Sequence, residues 1–592
     1  MKKKQVFLLL IIIIIASVLR FYKLNQYPPA LFSDEVDLGY QAYSFLKTGA
    51  DYFGNKWPVS FRSFADFRAP LYLYSAAGTI SIFGLNEWGV RLPAAIYGVL
   101  GVIAFFFLVL QISKNYSFSL LASFILAILP WHIHYSRAGF EVSALFFLLS
   151  LGLFSFFRFL EKKKLLFLLF SLFALSLCFY TYATSRLFLP LLCFAALLIY
   201  GKEIFSFNLK KLSVSFFVCF IFLSPFIKDA FWGEGLHRFS YLNIFSDSNL
   251  KFEIDRQRLV DAVHNREQVV GMATPKFAYV FHNKPLSWAT TIVRSFISSF
   301  SFDFLFLKGD PNLRHGIGKM GGVLIVFLPF LLLGLFKVFE TLKAGKGSLL
   351  SAKESLFFLS FLFLAPLPSS ITYDGGTHAT RLFFMVLPLS LLVALGIWEF
   401  FTWIKKAKIR NALIVFTGFL LSINLVNYLH FYYYHYPLES ERLWHYGFKE
   451  GITKLNKLSE SYDKVILSSS YEPPMIFFLF WSKHEPSLFK AKDYQYFSND
   501  WFEGKQIGKY YFGKLKSSFL DQYLTSQLKE ENLEKILILA GRNDFGSDLN
   551  HKIPSLLSAV DKVNLPSKEP ILFLLRTKTY EELEKERVEL VK

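Results

Sequence analysis

Hydrophobic residues in this chain come in long runs, not in the alternations or amphipathic stripes of a water-soluble fold. The runs lie at 5–21, 88–111, 116–133, 139–159, 164–181, 186–201, 212–228, 320–339, 354–372, 381–403 and 409–430, with polar breaks between them. A helix that crosses hydrocarbon needs about 20 largely apolar residues, fewer where flanking Lys or Arg reach the headgroups, so the pattern predicts an α-helical polytopic membrane protein of about eleven spans. Two more apolar stretches, APLYLYSAAGTISIFG at 69–84 and a Ser- and Phe-rich segment at 287–307, are predicted as helices lying in the outer interface. Making both of them spans would turn the Lys162 to Lys164 cluster to the outside, against the preference of basic residues for the cytoplasmic face.

Beyond 445 the pattern changes. Short apolar runs such as KVILSSS and KILILAG alternate with polar, helix-forming stretches such as SSFLDQYLTSQLKEENLEK, which predicts a small α/β domain. The division that follows is a membrane-embedded part over 1–430, with large outer loops at about 22–87 and 229–319, and an extracytoplasmic C-terminal α/β domain over 431–592.

Charge supplies the orientation. The opening MKKK and the run VFLLLIIIIIASVL have the form of a signal sequence without an obvious small-residue cleavage site, and are predicted to stay as an uncleaved anchor. With that end inside, every second turn should be basic. The turns carry Lys114, then Arg158 with Lys162 to Lys164, then Lys202 with Lys210 and Lys211, then Lys343, Lys346 and Lys353, then Lys405, Lys406, Lys408 and Arg410. A multi-pass protein of the cell membrane with a cytoplasmic N-terminus and everything after 431 outside is the expectation.

Composition refines this picture in three respects. Hydrophobic residues make up 53% of the chain and 71 residues are Phe, more than one globular core holds, so the apolar surface faces outward as well as inward. The net charge of +19 suits cytoplasmic loops and anionic headgroups, with membrane lipids as partners and no nucleic acid. The three cysteines, Cys178, Cys193 and Cys219, sit in apolar runs and form neither a disulfide framework nor a zinc motif.

The inner turns hold little besides lysine, whereas the outer loops and helix ends gather ionisable groups that are costly beside hydrocarbon and therefore functional candidates. They are Asp34 and Glu35, Asp66 and Arg68, Arg91, His132, His134, Arg137 and Glu141, Arg186, Asp310, Arg314 and His315, and His378 with Arg381. A few carboxylates among arginines and histidines suit a donor whose phosphate is the leaving group. Arginine offers phosphate a planar fork, and a carboxylate takes the proton of an attacking hydroxyl or amine. A phosphate carried on a lipid explains the place at the membrane surface.

Each group also has a plainer reading. Ser33 and Asp34 are good N-cap residues for the helix that follows. Asp66 and Arg68 suit a simple loop ion pair, and Arg137 and Glu141, spaced i and i+4, suit a helical one. His132 and His134 fall on different faces of a helix, so they share no metal, and with Trp131 they suit interfacial anchors. GDPNLRHG is rich in turn formers, while its Arg314 and His315 are open to substrate contact. His378 and Arg381 fall on one helical face, as phosphate binding would need.

The FSDE of the first outer loop, the following RAPLYLYSAAGTISIFGLNEWGVRLPAAIYGVLGV, the LPWHIHYSRAGFE of the next outer turn and the later HATRLFFMVLPLSLLVALG resemble bacterial GT-C glycosyltransferases of the protein O-mannosyltransferase and aminoarabinose-transferase type. The resemblance covers residues 1–430. It implies a GT-C membrane fold and an inverting enzyme that takes a sugar, hexosyl or pentosyl, from a polyprenyl-phosphate donor on the outer face and gives it to a lipid, glycan or protein acceptor. It implies Asp34 as general base with Glu35 as a supporting acid, Arg91 near the donor or acceptor, and Arg137, Arg186, His378 and Arg381 as the candidate set for the donor phosphate; residue type and position add Arg68, Arg314 and His315 as further candidate substrate contacts. The sequence identifies no cofactor; if a divalent metal ion takes part, Asp34, Glu35 and Asp66 are its candidate oxygen ligands. The rival readings are a polytopic transporter, a lipid or polysaccharide flippase, a ligase, and a non-enzymatic scaffold. Transporters and flippases commonly place charges at the bilayer midplane or repeat broken helices, and neither pattern is visible.

Overall fold

A computed structural model describes residues 3–64, 66–233, 242–264, 276–345, 349–489, 495–516, 520, 522–526, 534–546 and 548–591. The predicted helix over 517–535 falls largely outside these residues; 520 and 522–526 are helical. Parts of the second outer loop, at 234–241 and 265–275, and Lys346 of an inner turn also lie outside them.

Helices stand at all the predicted span positions: α1 (Lys3–Phe21), α4 (Glu87–Ser113), α5 (Tyr116–Ile128), α7 (Val142–Lys162), α8 (Leu165–Phe179), α9 (Ser185–Phe205), α10 (Leu209–Trp232), α14 (Leu328–Ala344), α15 (Ala352–Leu364), α16 (Val386–Trp403) and α17 (Ala407–His430). Among the described residues, eight are long and apolar enough to cross a membrane: α1, α4, α7, α9, α10, α14 with the turn before it, α16 with the turn before it, and α17 with its continuation to Ser440. The other three, α5, α8 and α15, are shorter than their apolar runs. Pro130 starts a separate short helix, α6 (Pro130–Tyr135), after Leu129 turns to an extended backbone, so the run at 116–133 is broken where proline removes a donor. Pro366 and Pro368 likewise end α15 before the run at 354–372 is complete. The two interfacial stretches form α3 (Pro70–Phe83) and α13 (Lys284–Ser298), preceded in the second loop by α11 (Ser248–His264) and α12 (Lys276–Phe281).

The chain forms two compact units, whose boundaries do not follow the single break expected near 431. Met1–Tyr22, Val59–Tyr72 and Ala94–Tyr432 form the first, and Lys23–Pro58, Leu73–Pro93 and Tyr433–Lys592 the second. Most of the first outer loop thus groups with the C-terminal residues.

In the first unit, α14 and α16 approach most closely where glycines remove side chains: a Cβ on Gly334 would lie 2.0 Å from the carbonyl oxygen of Leu392, and one on Gly396 1.8 Å from that of Phe330. Small residues at such crossings let backbones pack where lipid removes the hydrophobic drive. On α10 the side chains of Phe216, Phe217, Phe220 and Ile221 are all exposed, as are Val415, Phe416 and Phe419 on α17. Such surfaces suit hydrocarbon, and the protein is a multi-pass membrane protein. Within α10, Pro225 disturbs the ladder; the Tyr180 hydroxyl enters there, donating to the Phe222 carbonyl (2.6 Å) and accepting from the Phe226 N–H (3.2 Å).

The second unit is built on a seven-stranded sheet in the order β4 (Gln495–Ser498), β5 (Phe502–Ile507), β6 (Tyr510–Leu515), β3 (Lys464–Ser468), β7 (Ile536–Gly541), β9 (Pro570–Thr577), β8 (Leu557–Asn564). β3 runs parallel to both neighbours, with Val465 opposite Tyr510 and Leu537, and the remaining pairs are antiparallel. Alternate strand residues, among them Ile466, Ile538, Phe573 and Leu575, join one buried cluster. On Leu539 and Leu572 lies α18 (Phe448–Leu458), brought close by Gly451. α19 (Met475–Trp481) packs on α2 (Ser33–Thr48) at Gly39, where a Cβ would meet the Phe480 ring at 2.5 Å. The chain closes with α20 (Tyr580–Val591).

Candidate functional site

The acidic pair predicted to be catalytic opens α2 in the second unit, and its two members differ sharply. Glu35 is fully buried against an equally buried Arg91, with Nε to Oε1 at 2.8 Å and Nη2 to Oε2 at 2.9 Å. Arg91 also donates to the carbonyls of Pro28 (2.8 Å), Leu24 (3.3 Å) and Ala30, and lies 5.7 Å from the centre of the buried Trp444 ring. A desolvated fork of this kind ties the 24–30 turn to the start of α2, and removing one partner would strand the other charge. Glu35, expected as a supporting acid, and Arg91, expected near the donor or acceptor, are here paired with each other and hold the fold. Asp34 is exposed beside them in the first turn, where the helix N-terminus favours negative charge. The N-cap is Phe32, without a side-chain cap bond, so Ser33 and Asp34 are not caps as their residue types suggested. The Ser33 N–H donates to Nδ1 of His445 at 3.2 Å.

Arg137, expected for the donor phosphate, is also engaged by the fold. It is fully buried in the first unit, and its guanidinium donates to the carbonyls of Leu19 (2.9 Å), Arg20 (3.2 Å) and Tyr22 (2.8 Å), while its Cζ lies 5.4 Å from the centre of the Tyr432 ring. Those carbonyls are the unpaired acceptors at the end of α1, so this arginine closes a helix rather than a phosphate. His132 and His134 serve different neighbours, as their spacing implied: His132 Nδ1 meets Nη2 of Arg20 at 2.7 Å, and His134 Nε2 meets the Arg314 carbonyl at 2.8 Å.

The arginines that do open onto space lie at the start of α9 and in the loop before α16, also in the first unit. Arg186 and Arg381 line one groove of about 1000 Å³ whose other walls, including Leu187, Leu242, Pro368 and Ile371, are mainly apolar. Arg381 is held by Asp374, reached by both terminal nitrogens, and by the Thr372 hydroxyl at 2.7 Å. Arg186 packs over Phe226, 5.0 Å from the ring centre, and also borders a smaller polar cavity of about 390 Å³ with Arg68 and Glu141. Arg68 comes there from β2 (Phe67–Arg68), paired antiparallel with β1 (Phe61–Arg62) in a hairpin whose turn holds Asp66. Asp66 accepts from the Phe67 N–H at 2.7 Å.

Next to Arg381 the GDPNLRHG turn closes on the His378 loop. Asp310 is buried, with Oδ2 accepting from the Ala379 N–H at 2.8 Å and Oδ1 from the Asn312 N–H at 2.8 Å. Burial pushes its carboxyl up to about 6; Asp374 adds to the rise, while the two N–H groups and the Arg381 charge oppose it. His315 Nδ1 meets the Thr380 hydroxyl at 3.0 Å, that hydroxyl meets the Tyr135 hydroxyl at 2.7 Å, and the His315 and His378 rings lie 4.7 Å apart. Arg314 donates from its backbone to Asn312 Oδ1 at 3.0 Å, shaping the turn.

The first unit thus brings together Arg68 with Arg186, Arg186 with Arg381, and His315 with His378. Asp374 and Thr372 were not chosen from the sequence, although Asp374 had a signal, an acid in the same short loop as Arg381; Asp310 was among the outer-face candidates but was given no role of its own. Among the described residues no three His, Cys, Asp or Glu are arranged to hold a metal ion, and Glu35 is already engaged by Arg91.

Residues 67–228 match the family model described as dolichyl-phosphate-mannose-protein mannosyltransferase. No curated protein matches by sequence. Among solved structures, ArnT from Cupriavidus metallidurans bound to undecaprenyl phosphate is similar over 96% of this chain and 97% of its own, at 11% identity and a TM-score of 0.51. The Archaeoglobus fulgidus oligosaccharyltransferase tethered with an acceptor peptide aligns over 98% of this chain and 74% of its own, at 10% identity and a TM-score of 0.49. The oligosaccharyltransferase AglB from Archaeoglobus fulgidus, in complex with an inhibitory peptide and a dolichol-phosphate, aligns over 91% and 69%, at 12% identity and a TM-score of 0.46. The likeness to ArnT is one of fold, helical membrane part and C-terminal domain together.

Proposed function

We propose that this chain is a multi-pass membrane glycosyltransferase of the GT-C superfamily that transfers a hexosyl or pentosyl group from a polyprenyl-phosphate donor; the family match over 67–228 and the fold shared with ArnT support this reading. The acceptor is a lipid, glycan or protein group on the extracytoplasmic face of the cell membrane. The N-terminus is cytoplasmic, the membrane part over 1–430 carries out the transfer, and the domain over 431–592 lies outside.

The observation that carries this reading is the groove shared by Arg186 and Arg381. Two guanidinium groups open into a largely apolar groove in the membrane unit, which suits an amphiphile with an anionic head on a hydrocarbon tail. The ligand named for ArnT, undecaprenyl phosphate, is of that chemistry.

In the proposed reaction the Asp34 carboxylate takes the proton of the acceptor hydroxyl or amine as that oxygen or nitrogen bonds to the sugar's anomeric carbon. The bond from that carbon to the phosphate oxygen breaks on the opposite face, which inverts the centre. The polyprenyl phosphate leaves with the electron pair, and Arg186 and Arg381 balance its charge, with Arg68, His315 and His378 as further contacts. Such a leaving group needs cationic stabilisation rather than a strong acid. No step is routed through a metal ion.

The test is transfer from labelled polyprenyl-phosphate sugars in membranes containing the wild type or Asp34→Asn. A general base contributes about 10²- to 10⁴-fold, so transfer should fall by that order while protein abundance is unchanged. Equal transfer by the two proteins removes Asp34 from the reaction, and no transfer from any polyprenyl donor removes the reading itself.

A further inference from the structure

The first unit holds a second large cavity that the transfer reaction does not use. It measures about 1100 Å³, is lined by Phe159, Leu168, Leu189, Leu197, Ile204 and Leu212 among other apolar side chains, and runs along α9 between α7, α8 and α10. α9 begins beside the Arg186 groove and, at about 1.5 Å per residue, ends roughly 30 Å away. The far end is where Phe159, Leu168 and Leu212 form a buried cluster with Ile204 packed on it, which brings together the end of α7, the start of α8, the end of α9 and the start of α10.

Four lysines stand on these same turns. Lys164 immediately precedes α8, Lys202 lies in the last turn of α9, and Lys210 and Lys211 lie in the first turn of α10. All four are exposed, and among the described residues none has an acidic partner. Their neighbours behave differently: Lys163 donates to the Glu203 carbonyl and to the Ser206 hydroxyl, and Lys353 pairs with Glu203. An apolar hollow open to its surroundings and rimmed by cations without acidic partners has the complement of a lipid with acyl chains and an anionic head.

We propose that this protein binds an anionic phospholipid at the membrane face opposite the Arg186 groove, its acyl chains in the cavity along α9 and its phosphate among Lys164, Lys202, Lys210 and Lys211. The bilayer supplies such a molecule directly, because α10, one wall of the cavity, has its apolar side chains exposed on the outside. Empty, the cavity would forfeit the dispersion contacts of its lining, which acyl chains restore. Lysines that served only to orient the chain in the membrane would account for the charge but not for the cavity. The proposal is independent of the transfer reaction.

The test is native mass spectrometry of the full chain released from vesicles of equal parts dioleoylphosphatidylglycerol and dioleoylphosphatidylcholine. The wild type should retain phosphatidylglycerol by about tenfold over phosphatidylcholine, in line with the attraction of several near-surface lysines for an anionic lipid. Changing the four lysines to alanine should abolish the preference, and changing them to arginine should keep it. Ala196→Phe, which fills the cavity and leaves the lysines in place, should reduce retention of the lipid, and so keeps the test decisive if the charge variant inserts wrongly. Glycerol phosphate, which has the anion without the tails, should not displace the lipid. Equal retention of the two lipids by the wild type, an alanine variant with its preference intact, an Ala196→Phe protein that retains lipid as before, or displacement by glycerol phosphate overturns the proposal.

Discussion

Two sets of charged residues that read alike in the sequence have opposite fates. Glu35, Arg91 and Arg137 are buried, Glu35 and Arg91 holding each other and the terminal nitrogens of Arg137 held by backbone carbonyls. Asp34 is exposed, Arg186 opens into a groove, and Arg381, itself buried and held by Asp374 and Thr372, lines the same groove. All six flank apolar helices on the side expected to face out, and all belong to motifs that resemble the same family. What separates them is the supply of acceptors. Where a helix end or a tight turn offers unpaired carbonyls, the guanidinium is consumed by the fold, and where an arginine packs on an aromatic ring or is fixed by an acid at the edge of an apolar groove, it stands where a ligand can reach it.

The comparison breaks most visibly at the two adjacent acids of α2. Asp34→Asn should lower transfer by about 10²- to 10⁴-fold and leave the thermal midpoint of the purified protein where it was. Glu35→Gln should do the reverse. Stranding the buried Arg91 charge is expected to cost about 3–5 kcal/mol, read as loss of folded protein, and Glu35→Gln combined with Arg91→Met should recover part of it because no lone charge remains. A Glu35→Gln protein that folds normally but has lost transfer would move Glu35 into the chemistry.

Asp310 sharpens the comparison through pH. Its carboxyl lies at about 6 in the fold, above the usual carboxylate value, because burial disfavours the charge. The unfolded chain releases this proton first as pH rises from about 4, so the contribution to stability is full below about pH 4 and is lost as pH passes through about 6. The loss is on the order of 3 kcal/mol. Asp310→Asn keeps the acceptor for the Ala379 N–H and has no proton to lose, so thermal midpoints followed from pH 4 to 7 should fall in the wild type relative to this variant. Parallel curves would mean that the carboxyl is ordinary and the turn is held by other contacts.

Much of the architecture was legible because long apolar runs admit few structures: α4, α7, α9, α10, α14, α16 and α17 stand where the runs predict them. The breaks at Pro130 and Pro366 were readable as residues, but the pattern of apolar positions outweighed them. The polar C-terminal region read as an α/β domain and has a mixed sheet. The grouping of 23–58 and 73–93 with that region left no local signal, since it depends on packing between distant parts of the chain. The same holds for Arg137, whose partners at 19–22 lie more than a hundred residues away. Arg186 and Arg381 were found from residue type and position, whereas Asp374, which holds Arg381, was passed over although it stands in the same loop.

The account rests on the open arginines handling the donor, and equilibrium binding of polyprenyl phosphate to the detergent-solubilised protein tests this most directly. Arg186→Ala should weaken binding by about tenfold or more, as removal of one charge-assisted phosphate contact does, with the thermal midpoint of the free protein unchanged. Unchanged affinity in a folded Arg186→Ala protein would contradict it.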